Sequence, residues 1–151
     1  MLSYQSPQAR FTLREALAQF RETSGLTEKT ALARAEARVL MDQHDAVHVV
    51  FGLDASLRQE ALVDLWTVFG TTARASELIE YLRLPEEQEI LAQIGWPRVL
   101  WTTLRAVPDL FRVAAAARRL RKKWPWRHDR ALLDRPLHEL REEYGVTLLA
   151  A

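Results

Sequence analysis

Apolar residues recur at spacings of three and four through most of this chain, and this helical periodicity constrains its fold more than any other feature. Only five glycines interrupt the pattern in 151 residues, and runs of β-branched residues are few. Strands depend on such runs, whereas helices depend on the three-to-four spacing. The sequence therefore predicts an all-α fold, and its length suits one helical domain over residues 1–151.

Local signals predict where the helices begin and end. Capping boxes, in which Ser or Thr precedes Glu or Gln by three residues, predict helix starts at Thr12 and Ser56. Pro108 predicts a kink or break near Val107. The expected helices cover about 11–22, the stretch after Thr27 to 50, 56–70, 76–84, 85–95, 98–123 with its break, and 135–145.

The composition excludes several classes of function. The chain has no cysteine, which rules out disulfides, thiolate metal sites and cysteine nucleophiles. The balance of 21 Lys and Arg against 20 Asp and Glu argues against a nucleic-acid partner. The sequence lacks an apolar signal core at its start and any apolar run near the ~20 residues of a spanning helix. We therefore expect a cytoplasmic protein, and the richness in Ala, Arg and Leu is typical of bacteria.

The segment "HDAVHVVFGLDASLRQE", residues 44–60, holds two of the four histidines. At roughly 100° per helical residue, His48 lies about 40° and Asp45 about 100° round the axis from His44, so the three share one side. The glycine at 52 then predicts a turn, and Glu60 falls about one turn into the returning helix. The spacing thus predicts a helical hairpin with Glu60 facing both histidines.

Two imidazoles with one or two carboxylates are a sufficient ligand set for a divalent metal. Zn²⁺ is the preferred ion, and Fe²⁺ and Mn²⁺ are alternatives. Asp64, one turn beyond Glu60, is expected to orient a ligand by hydrogen bonding. The competing interpretation is an ordinary helix pair whose polar side chains bind nothing, because two histidines four residues apart often occur by chance.

The spacing His-Asp-x-x-His-x11-Glu, formed by His44, Asp45, His48 and Glu60, resembles the signature of the coenzyme Q (ubiquinone) biosynthesis protein 4 family. The surrounding "HDAVHVVFGLDASLRQEALVDLWTVFGT" is similar to that family's core hairpin. The tail "RALLDRPLHELREEYGV" is similar to its C-terminal helix. The resemblance covers residues 38–72 and 127–146.

The resemblance implies an all-α fold and a divalent metal, zinc first, bound by His44, Asp45, His48 and Glu60. It implies a role in ubiquinone biosynthesis on a polyprenylated aromatic lipid. The implied reaction is oxidative decarboxylation, in which the ring carbon bearing the carboxylate loses it and gains a hydroxyl. It also implies association with other ubiquinone biosynthesis proteins and with the surface of the inner membrane, and homodimer formation is left open.

The chain departs from that family near its N-terminus, where residues 1–25 have no clear counterpart of the family's segment before the motif. Two roles therefore stay open: a metal-dependent decarboxylase or hydroxylase, and a non-catalytic scaffold that binds the polyprenyl lipid. No glycine-rich nucleotide loop is present, so no flavin or nicotinamide site is expected. Oxidant and electrons would arrive as oxygen or through a partner.

The segment "RVLWTTLRAVPDLFRVAAAARRLRKKWPW", residues 98–126, combines an apolar row with many basic residues. Trp124 and Trp126 close it. Basic amphipathic helices with interfacial tryptophans lie on anionic bilayers, which suits a lipid-bound substrate. The alternative is that the apolar row faces the core and the arginines are solvated. A third alternative places the first half in the core and the basic end at the membrane. Trp66 is expected inside the hairpin.

Overall fold

The computed structural model of the protein describes residues 2–26, 34–105 and 107–149. Across these ranges the chain is all-helical without strands, which confirms the predicted fold class. The α-helices are α1 (Leu13–Thr23), α2 (Ala35–Phe51), α3 (Leu57–Gly70), α4 (Ala75–Leu82), α5 (Pro85–Ile94), α6 (Trp96–Arg105), α7 (Val107–Ala117) and α8 (Leu137–Tyr144). Short 3-10 helices lie at Ser3–Gln5 and Arg130–Asp134. None of the described helices combines the length and the apolar character that crossing a membrane requires.

The two predicted capping boxes have different outcomes. Thr12 caps α1 as predicted: its hydroxyl accepts a bond from the Glu15 backbone, and the Glu15 carboxylate accepts one from the Thr12 backbone. Ser56 does precede α3, but its side chain makes no capping bond, so the second box is wrong. Instead Asp54 accepts from the Ser56 backbone at 2.9 Å, and Gln59 accepts from the Asp54 backbone at 3.4 Å. Hydrogen bonds around Asp54, rather than a capping box, therefore stabilise the turn before α3.

The segment 98–123 forms two helices, α6 and α7, on either side of the predicted break near Val107. Pro108 is the second residue of α7, where its missing N–H costs no intrahelical bond. α7 ends at Ala117, so the predicted helical continuation to 123 is wrong, and the basic run after it forms turns and bends. The predicted start of the second helix, after Thr27, lies outside the described residues.

Large aromatic side chains fill the core, to which α1, α2, α3, α7 and α8 all contribute buried residues. Trp66 is buried and stacks on Phe51 across the α2–α3 hairpin, with ring centroids 4.0 Å apart, which confirms its predicted place. Trp124 and Trp126 are also buried, with 0% and 1% exposure. The expectation that these two tryptophans anchor the chain at a membrane interface is therefore wrong, because apolar contacts in the core outweigh their sequence position beside basic residues.

Arg141 ties α8 to both the N-terminal segment and the end of α2. Its guanidinium is buried and donates to the backbone carbonyls of Tyr4, Ser6, Val49 and Val50. Burial lowers the pKa of Arg141 to about 10. The Tyr4 hydroxyl in turn donates to the carbonyl of Leu53 in the hairpin turn, at 3.0 Å. The turn that joins α2 to α3 is thus fixed from outside as well as by its own sequence.

Candidate functional site

The two histidines of the opening motif lie on the inward face of α2, one helical turn apart. Their ring centroids are 4.9 Å apart, and both side chains are buried, His44 at 7% and His48 at 1% exposure. Glu60 projects toward them from the first turn of α3, where a carboxylate also interacts favourably with the helix dipole. The hairpin therefore brings together three of the four residues in the predicted ligand set.

Glu60 Oε2 lies 3.3 Å from His48 Nε2 and 3.8 Å from His44 Nε2. One donor atom from each of the three residues lies within 4.8 Å of the others. Bonds of about 2 Å to a tetrahedral zinc would place such donors about 3.4 Å apart. The described residues thus offer a nitrogen and oxygen donor set that fits a divalent cation after a small contraction.

Aromatic rings hold each imidazole in its place. Tyr81 of α4 stacks on His44 with centroids 4.4 Å apart and ring planes 15° apart. Phe20 of α1 stacks on His48 with centroids 4.7 Å apart. Both histidines are consequently fixed on one ring face, so little side-chain freedom remains to be lost when they bind a ligand. Glu60 is the accessible member of the group, with 37% of its side chain exposed.

Burial and mutual charge give the two histidines opposite protonation behaviour. Burial, reinforced by the charge of His48, lowers the pKa of His44 to about 3. Burial, the largest single influence, would also lower the pKa of His48, but the Glu60 carboxylate, with smaller contributions from Asp45 and the Asp54 backbone, raises that pKa above its ordinary value. Although burial would raise the pKa of Glu60, His48 lowers it, so the two form an ion pair. His44 is neutral near pH 7, as a metal ligand must be.

Nδ1 of His48 is buried and makes no hydrogen bond of normal geometry to the described residues. The backbone of Asp54, in the hairpin turn, nevertheless acts on His48 as a hydrogen-bonding group and contributes to raising its pKa. Histidines that bind a metal through one nitrogen usually direct the other toward a carbonyl or carboxylate. The arrangement of His48 between Glu60 and the turn is compatible with that pattern.

Asp45, the remaining member of the predicted ligand set, lies outside this group. Its Oδ2 accepts a bond from Arg21 Nε at 2.7 Å, and its side chain is buried. Asp64 is exposed on α3. Metal binding by Asp45 and ligand orientation by Asp64 stay predictions.

Three residues that contact this region could not be predicted from the sequence: Arg21, Phe20 and Tyr81. Phe20 and Arg21 lie at the end of α1 and Tyr81 on α4, so tertiary packing alone brings them to the histidines. An isolated arginine or aromatic residue on an amphipathic helix gives no sequence signal for such a role. The motif could be found because its members share one hairpin.

Comparisons of the chain with models of protein families, with curated proteins and with solved structures found no match.

Proposed function

We propose that the α2–α3 hairpin binds one divalent cation through His44, His48 and Glu60. The observation that carries this proposal is the convergence of their three donor atoms within 4.8 Å. Buried polar groups are usually satisfied by each other or by a ligand, and both histidines of this group are buried. Zn²⁺ fits the donor set best, and Fe²⁺ and Mn²⁺ are the alternatives.

Three protein donors are the number that catalytic zinc sites use, because a further position is then free for substrate. A bound cation would supply Lewis acidity toward a carboxylate or phenolic oxygen. The exposed side of Glu60 gives such a substrate group its route of approach. Together with the His-Asp-x-x-His-x11-Glu resemblance, this supports a role in ubiquinone biosynthesis: oxidative decarboxylation of a polyprenylated aromatic precursor. The ubiquinone assignment depends on the resemblance alone.

A lipid substrate needs the protein at a membrane, and the second supporting feature is an exposed apolar face on α6 and α7. This α6–α7 face consists of Leu100, Trp101, Leu104, Val107 and Phe111, which are 48–71% exposed. The interpretation that this row faces the core is therefore wrong. Exposed apolar patches of this kind mark interaction surfaces.

The charges around the α6–α7 face favour an anionic bilayer as its occupant. Arg98, Arg105 and Arg112 are exposed on these helices, and Arg105 lies over the Trp101 ring. Their acidic residue, Asp109, is buried and paired with Arg112. An arginine-rimmed apolar face complements acidic headgroups and the acyl boundary beneath them. We place the protein on the cytoplasmic surface of the inner membrane, beside other ubiquinone biosynthesis proteins.

The second candidate function is a non-catalytic scaffold that binds the polyprenyl lipid and gathers the pathway's enzymes. The exposed α6–α7 face favours it, because a scaffold needs a surface and does not need turnover. Under this alternative the metal stabilises the hairpin without taking part in chemistry. Pathway function would then survive loss of the metal.

Metal analysis of the purified, untagged chain tests the proposed site. Wild type should retain about one equivalent of metal, and His44→Ala and Glu60→Ala should lose it. His138→Ala is the matched control, since this histidine lies outside the site beside the Ala9 carbonyl. Equal, near-zero metal in all four proteins, each still helical by circular dichroism, would overturn the proposal.

Complementation of a quinone-deficient bacterial strain separates the two functions. If the protein is a catalyst, His48→Ala should lose both metal and quinone, and a carboxylated prenyl precursor should accumulate by mass spectrometry. If it is a scaffold, His48→Ala should lose metal and still restore quinone. Failure of wild type to restore quinone in a strain lacking the corresponding step would reject the ubiquinone assignment while leaving the metal site intact.

Vesicle flotation tests the membrane part of the proposal. Phe111→Asp should abolish flotation with vesicles containing acidic phospholipid, and wild type should not float with neutral vesicles. Val39→Asp is the matched control, because Val39 is 53% exposed on α2, outside the α6–α7 face. If wild type instead fails to float with acidic vesicles and sediments as a dimer that Phe111→Asp dissociates, that result would assign the face to a second copy of the chain.

A further inference from the structure

We infer that Arg21 is a positioning residue that withholds Asp45 from the metal site and so keeps one coordination position open for substrate. The inference rests on the proposed metal site and concerns its fourth position. Asp45 is adjacent in sequence to His44, and its spacing belongs to the same motif. Its carboxylate nevertheless lies apart from the other three donors, because it contacts Arg21.

Arg21 engages two carboxylates of α2 at once. Its Nε donates to Asp45 Oδ2 at 2.7 Å, and its Nη2 donates to Asp42 Oδ1 at 2.5 Å. Charge-assisted bonds of this length are about twice as strong as neutral ones. Asp45 is only 5% exposed, so solvent does not compete for its carboxylate. Arg21 is therefore the cation that compensates this buried charge, and a bound metal is the alternative cation within the motif.

Asp45 directly follows His44 on the same helix as His48, and all three side chains are buried. Asp45 therefore already lies near the site. Its hydrogen bond with Arg21 opposes the further movement that would bring its carboxylate to the metal. A catalytic zinc keeps three protein ligands and an exchangeable position, whereas four protein ligands make a closed, structural site. The choice between these two states here depends on which cation Asp45 contacts.

The surroundings of Arg21 allow this residue to be changed without opening the core. Its side chain is 21% exposed and lines a cleft of about 270 Å³ between α1, α2 and the segment around His128. Arg14 lines the same cleft and pairs with Asp134 instead. Arg14→Gln is therefore a matched control, since it removes an equal charge from the same cleft without touching Asp45.

Co²⁺ titrations followed by visible absorption test the inference, with neutral imidazole as a probe of the open position. In wild type and Arg14→Gln, imidazole should add to bound Co²⁺ and change the spectrum. In Arg21→Gln, Asp45 should fill the position: Co²⁺ should bind about tenfold more tightly, and the imidazole response should be lost. Arg21→Gln/Asp45→Asn should regain the response. This recovery distinguishes ligation by Asp45 from a simple loss of positive charge.

The possible failures are distinguishable. Absence of Co²⁺ binding by wild type would reject the metal site itself. Binding by wild type with an unchanged imidazole response in Arg21→Gln would reject the role of Arg21, as would a lost response that the added Asp45→Asn does not restore. If Arg21→Gln does not fold, Arg21→Met replaces it, because methionine has a long unbranched side chain but no N–H to hold Asp45. An unaltered response in Arg21→Met then counts against the inference.

Discussion

The α2–α3 hairpin and the α6–α7 pair invert the usual distribution of polarity in opposite ways. The hairpin buries two histidines against aromatic rings, and it also buries an aspartate that pairs with Arg21. The α6–α7 face instead exposes Trp101 at 58% and Phe111 at 71%. Both arrangements raise the free energy of the isolated chain, because buried polar groups need partners and exposed apolar groups order water.

This contrast indicates what kind of partner each region would take. Within the hairpin three donor atoms already lie within 4.8 Å of one another, so a small, highly charged ligand would complete the group. The α6–α7 face is a broad, exposed apolar surface with a basic rim, so a partner that covers it would have to be extended. The two regions should therefore respond differently to substitution: the hairpin through stability and metal affinity, the α6–α7 face through binding alone.

Matched tryptophan truncations give the largest expected contrast. Trp66→Ala removes a ring that is 1% exposed and stacks on Phe51. It should lower the free energy of unfolding by about 3–5 kcal/mol. Trp101→Ala should change it by less than about 0.5 kcal/mol, because that ring is largely solvated. Urea titrations followed by circular dichroism measure both.

A large loss of stability on Trp101→Ala would contradict the comparison. It would mean that the α6–α7 face is covered in the isolated protein, by a second copy or by another packing of these helices. Protein-concentration dependence of the urea midpoint would separate these two explanations, since only dimerisation makes the midpoint rise with concentration.

The fold class and the three-residue cluster in the hairpin could be predicted because both depend on residues close in sequence. Helical periodicity is a local property, and His44, His48 and Glu60 share one hairpin. What the apolar side of α6 and α7 contacts could not be predicted in this way. An amphipathic helix has the same pattern whether its apolar side meets a core or a membrane, and Trp124 shows the converse error: it is buried despite its basic neighbours.

Gly70 tests how tightly the hairpin is packed. A Cβ at this position would lie 2.6 Å from Trp66 Cε3 and 3.2 Å from Phe51 Cζ. In an ordinary helix Gly→Ala stabilises by about 1 kcal/mol, whereas overpacking costs about 1–3 kcal/mol. We expect Gly70→Ala to lower the free energy of unfolding by about 1–2 kcal/mol, because the ring belongs to a packed stack.

A double-mutant cycle with Trp66→Phe isolates this contact, since phenylalanine lacks the part of the indole that Gly70→Ala would strike. Gly70→Ala should cost less in the Trp66→Phe background than in wild type, by urea denaturation. Equal costs in both backgrounds would show that the clash is not with Trp66. A stabilising Gly70→Ala in wild type would show a looser hairpin than the structure describes.

The pH dependence of metal affinity tests the electrostatics of the site. Since Glu60 raises the pKa of His48, a cation must displace a proton from His48 whenever the pH lies below that pKa. Zn²⁺ affinity should therefore fall by about tenfold per pH unit below it, or about 1.4 kcal/mol, and level off above it. His44, with a pKa of about 3, adds no further proton above pH 5.

Competition titrations with a chromophoric chelator between pH 5 and 8 measure this slope. In Glu60→Gln the group that raises the His48 pKa is gone, so the plateau should extend to lower pH even though overall affinity is weaker. A slope unchanged by Glu60→Gln would contradict the ion pair. Two protons displaced per cation near pH 6 would contradict a neutral His44.

The part of the site that sequence could not predict is the Arg21–Asp45 contact. The motif correctly groups Asp45 with the histidines along α2, but the fate of its carboxylate is decided by α1, more than twenty residues earlier in the chain. Under the proposed function the metal and Arg21 would compete for this carboxylate, and the packing of α1 on α2 places Arg21 against it. Spacing predicts which residues share a face, and tertiary contacts decide which of them share a ligand.

The smallest expected effect comes from the two helix caps predicted from the sequence. Comparing them tests which residue stabilises the turn between α2 and α3. Thr12→Ala should lower the free energy of unfolding by about 1 kcal/mol, because the Thr12 hydroxyl accepts the Glu15 N–H at 3.2 Å. Ser56→Ala should be nearly neutral, since the Ser56 side chain makes no capping bond and Asp54 stabilises the turn instead. Thermal unfolding of both variants beside Asp54→Ala measures this. A cost for Ser56→Ala equal to that of Thr12→Ala would restore the capping box at the start of α3, and the position of Glu60 would then depend on a serine rather than on the aspartate turn.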